Sequence, residues 1–258
     1  MSIKYLLVTN KYHSLADVPP CVPALSMGIE SPRDAGRVER GVGVYMAPSK
    51  SPARRQRRTQ AERSEESGQR MLEAGIQLLI ERGPQKTTLK DVGERAGYSR
   101  GLASYRFGSK EGLFREILAL GRRQWAHELE SRVGDQQGLP ALLGAMDAFR
   151  HFLRNAPDNY RAMLILWYDS IGHPSPVTAK LKEHQEAQRR DVRVWVEQGM
   201  AAGDIDAAVD PDAFAATFCA LVYGTAYQWQ VKPDAFDLDD LFEAYQQWLE
   251  RMLRPRSA

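Results

Sequence analysis

The chain has 258 residues, 43% hydrophobic and 26% charged, enough for one sizeable globular core or two smaller ones and unlike a disordered or fibrous composition. Its two cysteines, Cys21 and Cys219, lie far apart, which excludes a disulfide framework or a cysteine zinc motif and points to a reducing cytoplasm. The net charge of +2 hides a division, since residues 1–49 are net +1, residues 50–110 net +7 and residues 111–258 net −6, the pattern of a polyanion-binding module joined to a unit that avoids polyanions.

Residues 1–58 show no sustained period. Pro19, Pro20, Pro23, Pro32, Pro48 and Pro52 interrupt them, and a disordered N-terminal extension is expected. Its opening apolar stretch is too short for a signal peptide, no run of about 18 apolar residues occurs anywhere, and no membrane partner is expected. Met46 begins MAPSKSPARRQRR, a natural start for the helical region behind it, and Met27 is another candidate start besides Met1. The extension ends in ARRQRR. Arg54, Arg55, Arg57 and Arg58 there suit either a minor-groove arm or a solvated basic linker.

Helical periodicity begins near Glu62. Met71, Leu72, Gly75, Ile76, Leu79 and Ile80 form a stripe that Gly83-Pro84 ends. Thr88 precedes the short amphipathic LKDVGERA, with Asp91 three residues on as a weak capping partner. Gly97-Tyr98 reads as a turn, Ser99 as the N-cap of RGLASYRF, and Gly108 as its end. Ser109 then caps a long helix from Lys110 to about Arg132. Two short helices joined by a glycine-containing turn make a helix-turn-helix unit, whose second helix enters the major groove of double-stranded DNA. Ser99, Arg100, Gly101 and Ser104 occupy its leading turns. Arg100 carries the fork that reads guanine O6 and N7, and Gly101 leaves room for close approach. Hydroxyls at helix starts, Thr88 and Ser99, suit phosphates, Lys110 adds a cation beside them, and Tyr105 and Arg106 are placed for phosphate or sugar. Leu89, Val92, Ala96, Leu102, Phe107, Leu113 and Phe114 read as core, with Lys90 and Arg95 solvated.

The run TTLKDVGERAGYSRGLASYRFGSKEGLFREIL, residues 87–118, resembles the TetR family signature at Thr88, Ala96-Gly97, Ser99, Gly101, Phe107, Lys110 and Leu113-Phe114. It departs at Tyr98, where a small aliphatic residue is common, at Ala103-Ser104 in place of Leu-Tyr, and at Arg106 in place of His. Tyr105 lies about 100° around the helix from Ser104 and is no replacement for the missing tyrosine. The detailed similarity covers residues 65–118 or so. The resemblance implies an all-α protein in which a three-helix DNA-binding domain, residues 59–115, precedes a helical ligand-binding and dimerisation domain, residues 116–258.

Independently, the remaining stretches, near 139–154, 158–171, 176–202, 210–231 and 238–253, are helical in pattern with no alternating strand signal. Phe214, Phe218, Leu221, Val222 and Thr225 on one of the last two helices, and Leu241, Phe242, Tyr245, Trp248, Leu249 and Met252 on the other, suit either a homodimeric four-helix bundle or an intramolecular core. Candidates for an effector pocket are Phe149, Met163, Trp167, Tyr168, His173, Trp195, Phe218 and Tyr223, with Met146, Phe152 and Trp229 as further apolar candidates. The histidines are too scattered for a metal site, and no nucleophile–base pair or phosphate-binding glycine loop suggests an enzyme or a cofactor. The expected function is a dimeric repressor released from its operator by a small hydrophobic effector. A constitutive DNA binder without ligand, and a helical enzyme or carrier with a vestigial DNA module, are the alternatives.

Overall fold

A computed structural model describes residues 59–172 and 176–255. Among these are nine α-helices and no strand: α1 (Gln60–Lys86), α2 (Leu89–Arg95), α3 (Arg100–Phe107), α4 (Lys110–Arg132), α5 (Gly138–Asn155), α6 (Pro157–Gly172), α7 (Pro176–Ala202), α8 (Pro211–Val231) and α9 (Leu238–Leu253). The arginines of the basic arm, Arg54, Arg55, Arg57 and Arg58, and His173 lie outside the described residues, as do the candidate starts.

Helix α1 begins ahead of its apolar stripe because Thr59 and Glu62 form a capping box. The Glu62 N–H donates to Thr59 Oγ1 at 3.2 Å and the Thr59 N–H to Glu62 Oε2 at 2.7 Å. Gly83, at φ 74°, breaks the helix before a last short turn containing Pro84. At α2 the pairing of Thr88 with Asp91 is only half a capping box. The Asp91 N–H donates to Thr88 Oγ1 at 3.2 Å, but the shorter Asp91 side chain accepts the Thr88 hydroxyl at 2.8 Å instead of reaching back to the backbone. Gly97 makes the turn into α3 at φ 78°, a left-handed conformation that a side chain would strain. Ser99 caps α3, accepting from the Leu102 N–H at 3.2 Å, and Ser109 caps α4, accepting from the Gly112 N–H at 3.1 Å.

These short helices hold together by burying one face against α1 and α4. Val92, Phe107, Leu113 and Phe114 join Met71 and Leu79 in the core, while Leu89, Ala96 and Leu102 are half-buried against it. Each large apolar side chain so enclosed contributes about 1.5–3 kcal/mol. The same apolar cluster continues into the C-terminal helices without a break. Helix α1 also packs along α6, where Gln77 Nε2 donates to Asp158 Oδ2 at 3.0 Å. The expected domain boundary at residues 115 and 116 falls inside α4, whose 23 residues span about 34 Å.

Helices α5, α7 and α8 surround the second half of the core. The face of α8 offered by sequence for pairing across a two-fold axis turns inward instead: Phe214, Phe218, Val222 and Thr225 are buried within the chain and Leu221 half-buried. Helix α8 is apolar on nearly every side, so residue type alone does not say which side faces the core. Its outward residues are still largely apolar, Ala213, Ala216, Ala220, Tyr227 and Val231, with Asp212, Thr217 and Gln228 among them. On α9, Phe242 and Leu249 are buried, Leu241 and Tyr245 half-buried, and Trp248 and Met252 exposed. The Thr225 and Tyr245 hydroxyls meet at 3.1 Å between the two helices. No helix among the described residues is long and apolar enough to cross a membrane.

Candidate DNA interface and ligand cavity

Helix α3 turns Ala103 and Phe107 into the core, and this fixes what it presents outward. Ser99, Arg100, Gly101, Tyr105 and Arg106 are exposed and Ser104 is half-buried. Tyr105 is 89% exposed, more than any other large apolar side chain among the described residues. Arg100 has no ion-pair or hydrogen-bond partner among the described residues. A Cβ added at Gly101 would meet only Ser99 Oγ, at 3.7 Å. Packing within the chain therefore does not demand a glycine there, whereas close approach of a duplex would use one.

Three other candidates are engaged by the protein itself. Arg106 lies over the Phe107 ring at 5.3 Å from its centroid, pairs with Glu116 at 3.6 Å and packs against Gly68 of α1. It straps α3 to its neighbours. Lys110 Nζ donates to the Pro84 carbonyl at 3.3 Å, which leaves two of its three protons for other acceptors. Thr88 stands beside the Asp91 carboxylate, an anion that opposes a phosphate at this helix start. Arg95 is taken by Glu81 at 2.6 Å; this hydrogen bond holds the Glu81 carboxyl below its usual range. The described part of the segment is also less basic than the whole. Residues 59–110 hold 9 Lys+Arg against 7 Asp+Glu, so five of the seven net charges of 50–110 belong to Lys50 and the four arginines of the arm.

The second feature is a cavity between α4, α5, α7 and α8, with about 460 Å³ of empty space including its mouth. Four of the pocket candidates, Phe149, Trp195, Phe218 and Tyr223, line it together with Trp125, Leu129, Gln188, Asp191 and Cys219. Trp125 meets Phe149 edge-on at 6.0 Å. Met163 and Trp167 line a smaller separate cavity with Arg122 and His184. Burial lowers the His184 imidazole to about 4, so it is neutral at pH 7. Tyr168 lines neither cavity; it is exposed and packs on Tyr227 at 5.7 Å between ring centroids. Met146 and Phe152 are plain core and Trp229 is half-buried. No group of metal-ligating side chains occurs among the described residues.

Reading for apolar and aromatic residues missed Trp125 and Leu129 of α4, and by its nature Gln188, Asp191 and Cys219. A signal for Gln188 and Asp191 was available. Leu181, His184, Gln188, Asp191, Val192 and Trp195 recur at helical spacing on one face of α7, so an amide and a carboxylate sit where the period calls for apolar residues. Burial raises the Asp191 carboxyl to about 6, opposed only by the nearby Arg190 charge, and raises the Cys219 thiol to about 11. A carboxyl raised from 3.8 to about 6 binds its proton more tightly in the folded chain. Its stability contribution is full below the unfolded pKa and lost as pH rises through the folded value. Asp191→Asn is therefore expected to melt higher than the wild type at pH 7 and to lose that advantage towards pH 4, in thermal unfolding across this window.

The described residues are helical, and the second short helix presents its leading turns to solvent with a helical unit behind it, the arrangement of a helix-turn-helix protein. Two family models match it: "Bacterial regulatory proteins, tetR family" over residues 71–117 and "Tetracyclin repressor-like, C-terminal domain" over residues 138–245. The chain belongs to the TetR family of transcriptional regulators. It is similar to the HTH-type transcriptional regulator SrpR of Pseudomonas putida, 20% identical over 172 residues, which are 67% of this chain and 78% of that protein. An uncharacterised HTH-type regulator of Bacillus subtilis, YfiR, is 31% identical over 88 residues, 34% of this chain and 43% of that one. Among solved structures, NalD of Pseudomonas aeruginosa shares the fold with a TM-score of 0.61 at 21% identity, covering 75% of this chain and all of its own. SmeT in complex with triclosan gives 0.62 at 20% identity, covering 74% and 93%. These relatives are regulators, not enzymes.

Proposed function

We propose that the chain is a dimeric repressor that reads a two-half-site operator with α3 and releases it when a small, largely apolar molecule occupies the C-terminal cavity. The observation that carries this reading is α4. Its capped start adjoins α3, and its later turns supply Trp125 and Leu129 to the cavity wall. A molecule that favours one seating of α4 shifts the population towards one spacing of the two α3 helices. The description of NalD as a repressor and the triclosan bound to SmeT support repression and small-molecule binding by analogy. The test is a gel shift with DNA from the gene's own upstream region, with and without candidate hydrophobic compounds. Release by a compound supports the reading; binding that no compound alters points to a constitutive regulator.

The dimer is suggested by two exposed apolar surfaces, Tyr227 and Val231 on α8 and Trp248 and Met252 on α9. One helix-turn-helix binds weakly alone, and two half-sites are its usual target. Trp248→Glu is expected to give a monomer in analytical ultracentrifugation and to weaken operator binding by about two orders of magnitude, the avidity lost with the second half-site. An unchanged dimer would place the interface elsewhere.

A further inference from the structure

We infer that the cavity is built for an organic cation, an apolar body carrying a protonated amine that Asp191 receives. This rests on the reading of the cavity as an effector site and adds the ligand's chemical class. Three polar atoms of the lining are enclosed with no hydrogen-bond partner among the described residues: Gln188 Oε1, Asp191 Oδ1 and the Tyr223 hydroxyl. Two of them are acceptors and the third can accept. Gln188 and Asp191 are one turn apart on α7, and Tyr223 comes from α8. Native interiors leave few such groups orphaned, so three in one cavity call for a guest that donates.

The remaining wall selects the guest's body. Trp125, Phe149 and Trp195 are large aromatic neighbours of the acceptors, and aromatic rings also attract cations. A purely apolar guest would seal the three polar atoms from water without pairing them. An anionic guest would meet a carboxylate that, at about 6, is mostly ionised at neutral pH. The cations that act on Asp191 and Cys219, Arg190 and Arg189, are exposed on α7, Arg193 pairs with Glu197 and Asp212, and none of them lines the cavity. The Cys219 thiol, raised to about 11, is neutral at that pH and adds no charge. The remaining complement is an N–H-bearing cation: an ammonium offers three protons to a wall with three unpartnered acceptors, and its charge is opposite to that of Asp191.

Calorimetry on the full chain at neutral pH tests this with three probes of one skeleton: naphthylmethylamine, naphthylmethanol and naphthoate. The wild type is expected to bind the amine about tenfold or more tighter than the alcohol, and naphthoate most weakly. In Asp191→Asn, checked for folding by its melting curve, the amine's advantage is expected to shrink to within about threefold while the alcohol binds as before. The wild-type comparison stands even if the variant fails to fold. An alcohol or naphthoate that equals the amine on the wild type overturns the cation assignment and leaves the effector site standing, and an amine preference that survives in Asp191→Asn overturns Asp191 as the group that receives it. Failure of all three probes overturns both.

Discussion

Arg100→Ala is expected to erase sequence preference at one base pair of each half-site, at a cost of about 1–3 kcal/mol per site, without changing the fold. The side chain is exposed, belongs to the first turn of α3, and has no partner among the described residues that its removal would orphan. Its loss therefore leaves the protein's own packing intact, and the whole effect falls on DNA. Binding to a panel of operators substituted one base pair at a time separates this from a general weakening. The contrasting variant is Lys110→Ala. Lys110 is tied to the Pro84 carbonyl at 3.3 Å at the start of α4, outside the recognition helix and placed for phosphate, so its loss should weaken all sequences alike and flatten the salt dependence. If Arg100→Ala leaves the base preferences unchanged, α3 is read through other side chains.

Gly112→Ala is expected to act by a different route. A Cβ at Gly112 would lie 1.9 Å from the carbonyl oxygen of Phe107 and 3.1 Å from its carbon. Both are backbone atoms at the end of α3, and they cannot swing aside as a side chain would. The same turn is held by the Gly112 N–H on Ser109 Oγ at 3.1 Å and the Ser109 N–H on the Phe107 carbonyl at 2.8 Å. Relief requires α3 and α4 to move apart, which strains both contacts and the burial of Phe107, Leu113 and Phe114. The expected cost is on the order of 3 kcal/mol, the upper end of overpacking penalties. For a chain of this size that is a fall in melting temperature of roughly 6–12 °C. DNA binding should fall for every sequence together, because the pose of α3 is lost rather than one contact. A normal melting curve with normal DNA binding would show that the turn adapts without cost.

The two variants also mark what the sequence made legible. The caps at Thr88, Ser99 and Ser109, the turn at Gly97 and the break at Gly83 are local signals, each set by a hydroxyl or a missing Cβ, and each lies where residue type placed it. The roles of Arg106 and Lys110 were not local. Whether a cation faces DNA or its own protein depends on Glu116 and Pro84, which lie far from it along the chain and near it only once α3 and α4 pack. The inward face of α8 was illegible for a related reason, since a helix apolar on most sides has no preferred orientation until its neighbours are known. The cavity was half legible. Phe149, Trp195, Phe218 and Tyr223 stood out by type, Trp125 did not because its place beside them depends on how α4 packs, and Asp191 and Gln188 stand out only when the period of α7 is traced through them.

The proposed regulation requires α3 to bind duplex DNA in a charge-assisted, sequence-dependent way. Fluorescence anisotropy of the full chain measures this on duplex from the gene's upstream region, at about 50 mM and about 200 mM salt, with a scrambled duplex as competitor. The predicted result is binding that weakens steeply with salt and resists the scrambled competitor. Failure to bind any duplex at the lower salt would contradict it.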